Sequence, residues 1–164
     1  MQIAVVYVSN TGVTETVVDK LKKATKKTLS VYNVKNEDPE MRLSDVVIIA
    51  APVYIGRTHK LMRKWVKKHQ DVLKRKHLIF VLVGGEETVN PLDTLKNSYP
   101  EAILKKHHSV YHCGGEFRFE RMGFFRRFLI KLVIKSKQKE SGSDALPTLN
   151  QSSINALTKA IDAL

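Results

Sequence analysis

The chain has 164 residues, enough for one well-supplied hydrophobic core and too few for two, so a single domain over 1–164 is expected. Lys and Arg number 28 against 16 Asp and Glu, and the resulting net charge of +12 calls for a polyanion, an anionic lipid surface or an acidic partner. The single cysteine, Cys113, excludes an intrachain disulfide and reads as a buried, inert thiol in reducing surroundings. No apolar run reaches the roughly 18 residues of a membrane span or has the layout of a signal peptide, so a cytoplasmic location is expected.

In chain order, the apolar run over residues 2–8 reads as a buried strand that empties into Ser9-Asn10-Thr11-Gly12-Val13-Thr14. Val17, Val18 and Leu21 then resume at helical spacing, which predicts a helix over residues 13–27. A strand-to-helix turn with three hydroxyls, an amide and one glycine can surround a phosphate with neutral donors, while the free N–H groups of the first helical turn point at the same place. The turn lacks the lysine of triphosphate loops and the glycines of dinucleotide folds, which favours a mononucleotide monophosphate. The plainer reading is that Ser9, Asn10 or Thr11 caps an ordinary helix. Position at the end of the first strand of an open parallel sheet favours a ligand.

Residues 29–34 read as a short second strand and residues 45–50 as a third, whose Val46-Val47-Ile48-Ile49 is apolar throughout, as in a sheet covered on both faces. The following segment, Ala51-Pro52-Val53-Tyr54-Ile55-Gly56-Arg57-Thr58-His59, is rich in aromatic and small residues and reads as a binding loop. In that loop Tyr54 can stack on a flat ring, Pro52 stiffens the approach, and Gly56 permits a close or flipped peptide. A helix is expected over residues 60–72 with Leu61, Trp65 and Val72 facing inward, then a strand over 77–83 stopped by Gly84-Gly85. Gly84, Gly85 and Glu86 open a loop whose backbone N–H groups can face the polar edge of a ligand. A helix over 91–106 should be kinked or divided by Pro100, and a weaker strand over 109–113 leads to Gly114-Gly115. The last helix, over 152–163, carries Ile154, Leu157 and Ile161 on one stripe.

Five strands alternating with helices predict an α/β three-layer sandwich with a parallel sheet in the order 2-1-3-4-5. Between the fifth strand and the last helix lies an insert of about 35 residues, spanning roughly 116–150, too long for an ordinary connection. Met122, Phe125, Leu129, Leu132 and Val133 can form an apolar face with Phe128 beside it, while Arg126, Arg127, Lys131, Lys135, Lys137 and Lys139 make the polar side wholly basic. The pair of faces fits an interfacial helix on an anionic bilayer, or a helix packed on the domain with its cations in water. No His, Cys, Asp or Glu cluster has metal-ligand spacing, and no nucleophile, base and orienter set is evident. Regular βα alternation without a nucleic-acid module argues against nucleic acid as partner.

Ser9-Asn10-Thr11-Gly12-Val13-Thr14 resembles, without departure, the Ser/Thr-x-Thr-Gly-x-Thr phosphate loop of the flavodoxin-like proteins. The resemblance implies FMN as cofactor, its phosphate on Ser9, Thr11, Thr14 and the amides around Gly12 and Val13. More narrowly, the chain resembles the bacterial menaquinone-dependent protoporphyrinogen IX dehydrogenases of that superfamily. This likeness is carried by the phosphate loop, Tyr54-Ile55-Gly56 with His59, the run Trp65-Val66-Lys67-Lys68-His69, Gly114-Gly115 followed by Arg118, and Phe128-Leu129-Ile130-Lys131-Leu132-Val133-Ile134-Lys135. It implies electron transfer from protoporphyrinogen IX through FMN to menaquinone at the inner face of the cell membrane. Arg118, Arg121, Arg126, Arg127 and Lys131 are then the candidates for porphyrin propionates or lipid phosphates. The alternatives are a flavodoxin-like electron carrier or quinone reductase with another donor, and an FMN-free adaptor that uses its basic surface.

Overall fold

Strands buried on both faces build the molecule around its sheet, as seen in a computed structural model that describes residues 1–84, 90–105, 108–124, 127–128, 130–131, 134–135 and 147–164. The strands are β1 (Ile3–Tyr7), β2 (Leu29–Asn33), β3 (Val46–Tyr54), β4 (Arg57–Thr58), β5 (His77–Val83) and β6 (His108–His112). The helices are α1 (Val13–Ala24), α2 (Lys60–Lys68), α3 (Gln70–Leu73), α4 (Pro91–Ser98), α5 (Glu101–Leu104) and α6 (Gln151–Asp162), with a 3-10 turn at Phe119–Arg121. Five parallel strands run in the order β2-β1-β3-β5-β6, and β4 adds antiparallel to the end of β3. Because β4 is a two-residue addition, the order is the 2-1-3-4-5 expected from the alternation of elements.

Period-two placement of side chains decides which helices lie on which face. Val5, Ile48 and Val81 pack with Val17, Leu21, Leu157 and Ile161, so α1 and α6 cover one side. Val6, Ile49 and Phe80 pack with Met62, Trp65, Leu95 and Ile103, so α2 to α5 cover the other. Each such fully buried aliphatic or aromatic side chain contributes about 1.5–3 kcal/mol relative to exposure. Cys113 is fully buried on the α1/α6 side, and burial pushes its thiol up to about 12, in keeping with an inert role.

Three expectations are corrected. Residues 51–54 are strand and not loop: Pro52 pairs with Val83 and Val53 with Thr58, so β5 and the hairpin extend a segment whose composition reads as a connection. The N–H missing from Pro52 costs no β1 ladder bond, because β1 ends opposite Ala50. The helix after β4 is broken at His69, and its buried stripe is Met62, Trp65, Val66 and, in α3, Leu73, which leaves Leu61 40% exposed. Helix α1 stops at Ala24 because Thr25 turns extended and donates its hydroxyl to Asp162 Oδ1, which also accepts the Lys26 N–H. Pro100 divides the α4–α5 segment as expected, standing immediately before α5. Among the described residues no helix is long and apolar enough to cross a membrane.

Candidate functional site

The topological switch lies where β2 and β3 leave β1 in opposite directions, so the segments after β1 and β3 open side by side at one sheet edge. After β1, Ser9 Oγ accepts the Gly12 N–H at 2.9 Å and folds the chain into a tight cradle. Gly12 stands at φ +82°, a left-handed conformation that a side chain disfavours, and is the residue before α1. Among the described residues no side chain caps α1. The capping alternative for Ser9, Asn10 and Thr11 therefore does not hold, and the first-turn N–H groups remain for a ligand or water. Thr14, at the second position of the helix, is 1% exposed as a residue. Val13 is buried in the core, so only its backbone can serve a ligand.

The β3–β4 hairpin supplies the second wall. Ile55 and Gly56 form its two-residue turn with φ +49° and +67°, the paired positive angles of a type I′ turn. Gly56 is thus explained by turn geometry, and Ile55 is a fully exposed β-branched residue at a positive φ. Tyr54 is 36% exposed, and its hydroxyl accepts from Asn10 Nδ2 at 3.4 Å, joining the two loops. Pro52 and Val53 are buried strand residues that hold the hairpin and present no side chain at the surface. Around Tyr54 lies an open cleft of about 460 Å³ whose rim includes Asn10, Arg57, His59, Lys60 and Arg63. Arg57 Nε donates to Asn97 O and Arg63 Nε to Thr58 O, each at 3.0 Å, which fixes both guanidinium groups at the rim. Nothing in the sequence marks these cations, which are scattered among ordinary surface lysines.

Gly84 behaves differently from expectation. Its N–H donates to Gly114 O at 2.6 Å and its carbonyl faces His112 Nε2 at 2.7 Å, so this donor is consumed in tying β5 to the end of β6. Gly85 and Glu86 lie outside the described residues, as do Arg126, Phe125, Leu129, Leu132, Val133, Lys137 and Lys139 of the insert. The run from Trp65 to His69 packs and anchors: Trp65 is buried with its ring 5.0 Å from that of His69, whose Nε2 meets Asp38 Oδ1 at 2.7 Å.

Two insert residues reach the phosphate loop. A Cβ built on Gly12 would lie 2.5 Å from Arg121 Nη1 and 3.1 Å from Arg118 Nη1. Arg118 Nη2 also donates to Thr16 Oγ1 at 2.9 Å, and Thr16 in turn donates to Gly12 O at 3.0 Å. Thr16 is a site residue that the loop motif did not mark. Arg127 and Lys131 are instead exposed on a helical stretch that also exposes Phe124 (88%) and Phe128 (55%).

A doubly covered parallel sheet with an uncapped, glycine-led helix at its switch point defines an α/β protein that binds an anionic ligand at the strand ends. Residues 4–144 match a family model described as Flavodoxin domain, and the chain belongs to that family. No curated protein matches the chain. Among solved structures it is similar to Fusobacterium nucleatum flavodoxin bound to flavin mononucleotide, with 22% identity, TM-score 0.52, and 66% of this chain and 68% of that one covered. Two-electron reduced Megasphaera elsdenii flavodoxin gives 15% identity and TM-score 0.55, covering 68% and 82%. A Lactobacillus acidophilus flavoprotein in complex with FMN gives 10% identity and TM-score 0.51, covering 68% and 90%.

Proposed function

We propose that the protein is an FMN-dependent oxidoreductase. The observation that carries this reading is the Gly12 cradle, with its uncapped helix and the Ser9 hydroxyl folded over the same turn, which fits a terminal phosphate. A flavodoxin bound to flavin mononucleotide and a flavoprotein in complex with FMN among its structural neighbours support the choice of nucleotide. Ser9, Thr11 and Thr14 would hold the phosphate through hydroxyl donors, Ser9 Oγ being free to donate while it accepts from Gly12. Tyr54 would lie against the flavin ring, with Asn10 holding its hydroxyl. When bound, the flavin supplies the redox chemistry, and the chain supplies position and electrostatics.

Within that reading the electron donor is protoporphyrinogen IX and the acceptor menaquinone, with the protein peripheral on an anionic membrane. Support comes from the family-like motifs and from the cationic rim beside Tyr54, where Arg57, Lys60 and Arg63 suit propionate carboxylates. Exposed Phe124 and Phe128 beside exposed Arg127 and Lys131 suit an interfacial contact. The test is anaerobic mixing of FMN-loaded protein with protoporphyrinogen IX, NADH or NADPH, followed by menaquinone. Bleaching of flavin absorbance by the porphyrinogen and its recovery with the quinone are expected. Bleaching by another donor alone would make the protein a carrier or quinone reductase.

A further inference from the structure

We infer that Arg118 and Arg121 form a cationic clamp over the cofactor's terminal phosphate, so that the insert closes the phosphate loop. The inference rests on the FMN reading and assigns two residues that the sequence places with propionates or lipid. Both guanidinium groups present Nη1 to Gly12, at the apex of the cradle. Arg118 is oriented there by Glu116, which accepts from Nε at 2.6 Å, and by the Thr16 hydroxyl, with only 22% of its side chain exposed. Arg121 has no acidic partner among the described residues. It is brought to the loop by the 3-10 turn Phe119–Arg121, in which its N–H donates to Arg118 O at 3.0 Å.

Charge makes the case for an anion. Two guanidinium groups converge on the N-terminus of α1, whose dipole adds about half a positive charge, while Glu116 and, in the first turn of α1, Glu15 offset them in part. Like charges so placed repel unless a counter-charge sits among them. A phosphate monoester carries about −1.5 to −2 near neutral pH, charge enough to engage both guanidinium groups, whereas an internal phosphodiester carries one charge per phosphorus. The loop motif alone describes neutral recognition; here planar forks from more than a hundred residues away would add charge-assisted hydrogen bonds to the same oxygens.

The test compares FMN with riboflavin, which carries the same ring and chain without the phosphate. Kd values are measured by flavin fluorescence for the wild-type protein, Arg118→Gln, Arg121→Gln, the double variant and Arg118→Lys, with circular dichroism as a check on folding. The expected result is a loss of FMN affinity of about tenfold or more in Arg118→Gln, less in the exposed Arg121→Gln, and riboflavin affinity within about twofold of wild type. Arg118→Lys should restore part of the loss, since it returns the charge without the fork. Wild-type FMN affinity should also fall between about 0.05 and 0.5 M NaCl more steeply than that of the double variant. Unchanged FMN affinity and salt dependence in the double variant overturn the clamp and leave the FMN reading intact. Equal losses for FMN and riboflavin also overturn it, since they show a packing role for the arginines. Failure of the folded wild-type protein to bind either flavin overturns the FMN reading itself.

Discussion

Replacing Ile55 by asparagine should stabilise the protein while removing whatever the exposed isoleucine does at the hairpin tip. Ile55 has φ +49° and is fully exposed at 101%, so its side chain is strained and packs on nothing within the chain. A left-handed conformation costs an L-residue about 1–2 kcal/mol, and Asn-Gly is the preferred pair for the type I′ turn that Ile55-Gly56 makes. The expected gain in Ile55→Asn is about 1 kcal/mol, which for a chain of this size raises Tm by roughly 2–4 °C. Ile55→Val keeps the β-branch and should leave Tm within about 1 °C, since exposed conservative changes have little effect. Differential scanning calorimetry with and without FMN measures both the gain and any loss of ligand-induced stabilisation. A Tm for Ile55→Asn equal to or below that of the wild type, with an unchanged cooperative transition, would falsify the strain argument. A rise in Tm without a change in FMN affinity would show that the apolar tip serves something other than the cofactor.

Gly115→Ala should destabilise by about 2–3 kcal/mol, because its Cβ would stand 2.5 Å from Gly84 Cα and 2.9 Å from Gly84 N, both backbone atoms that cannot swing aside; a denaturant midpoint equal to wild type refutes the close approach. Gly56→Ala meets no atom within 4 Å and Gly12→Ala meets Arg121 and Arg118, yet both have positive φ, so their Tm losses should be similar while FMN affinity falls in Gly12→Ala. Cys113, with its thiol pushed up to about 12 by burial, should resist iodoacetamide at pH 8 until the protein unfolds, and rapid labelling of folded protein contradicts its placement. Hydrogen bonds from Lys68 and then His69 hold the Asp38 carboxyl below its ordinary value, so the folded pKa lies below the unfolded one near 3.9. That contribution is present above about pH 4 and is lost as pH falls through the lower folded value. Asp38→Asn should therefore give a flatter Tm profile than wild type in that acid range, and parallel profiles would remove Asp38 from the acid response.

The order of strands was legible because continuously apolar runs such as Val46-Val47-Ile48-Ile49 demand cover on both faces, and one local polar turn marks the helix after β1. The end of β3 was not legible. Ala51-Pro52-Val53 has the composition of a loop, and only Val83 on one side and Thr58 on the other make it strand. The division of α2 from α3 depends in the same way on a distant group, since Asp38 grips His69 across 31 positions. For local hydroxyls and amides, spacing is informative because neighbours in sequence become neighbours at the turn. For the cations it is not: Arg118 meets Thr16 across 102 positions, and within the insert it looks like one more basic residue.

Docking of the insert and binding of an anion at Gly12 are thus coupled by charge. Without an anion, seating Arg118 and Arg121 beside the positive end of α1 is opposed by repulsion, and Glu116 answers only one of the two guanidinium groups. With an anion present, the same arrangement gains charge-assisted hydrogen bonds, so the ligand favours the docked insert over any state in which the arginines stand away. Linkage requires the converse: an insert held down by other contacts must raise the affinity of the loop for phosphate by the same factor. The exposed Phe124 and Phe128 follow directly after the 3-10 turn that carries Arg121. A surface that engages those aromatic side chains would therefore bear on the same turn, and through it on the phosphate loop, without touching the cofactor.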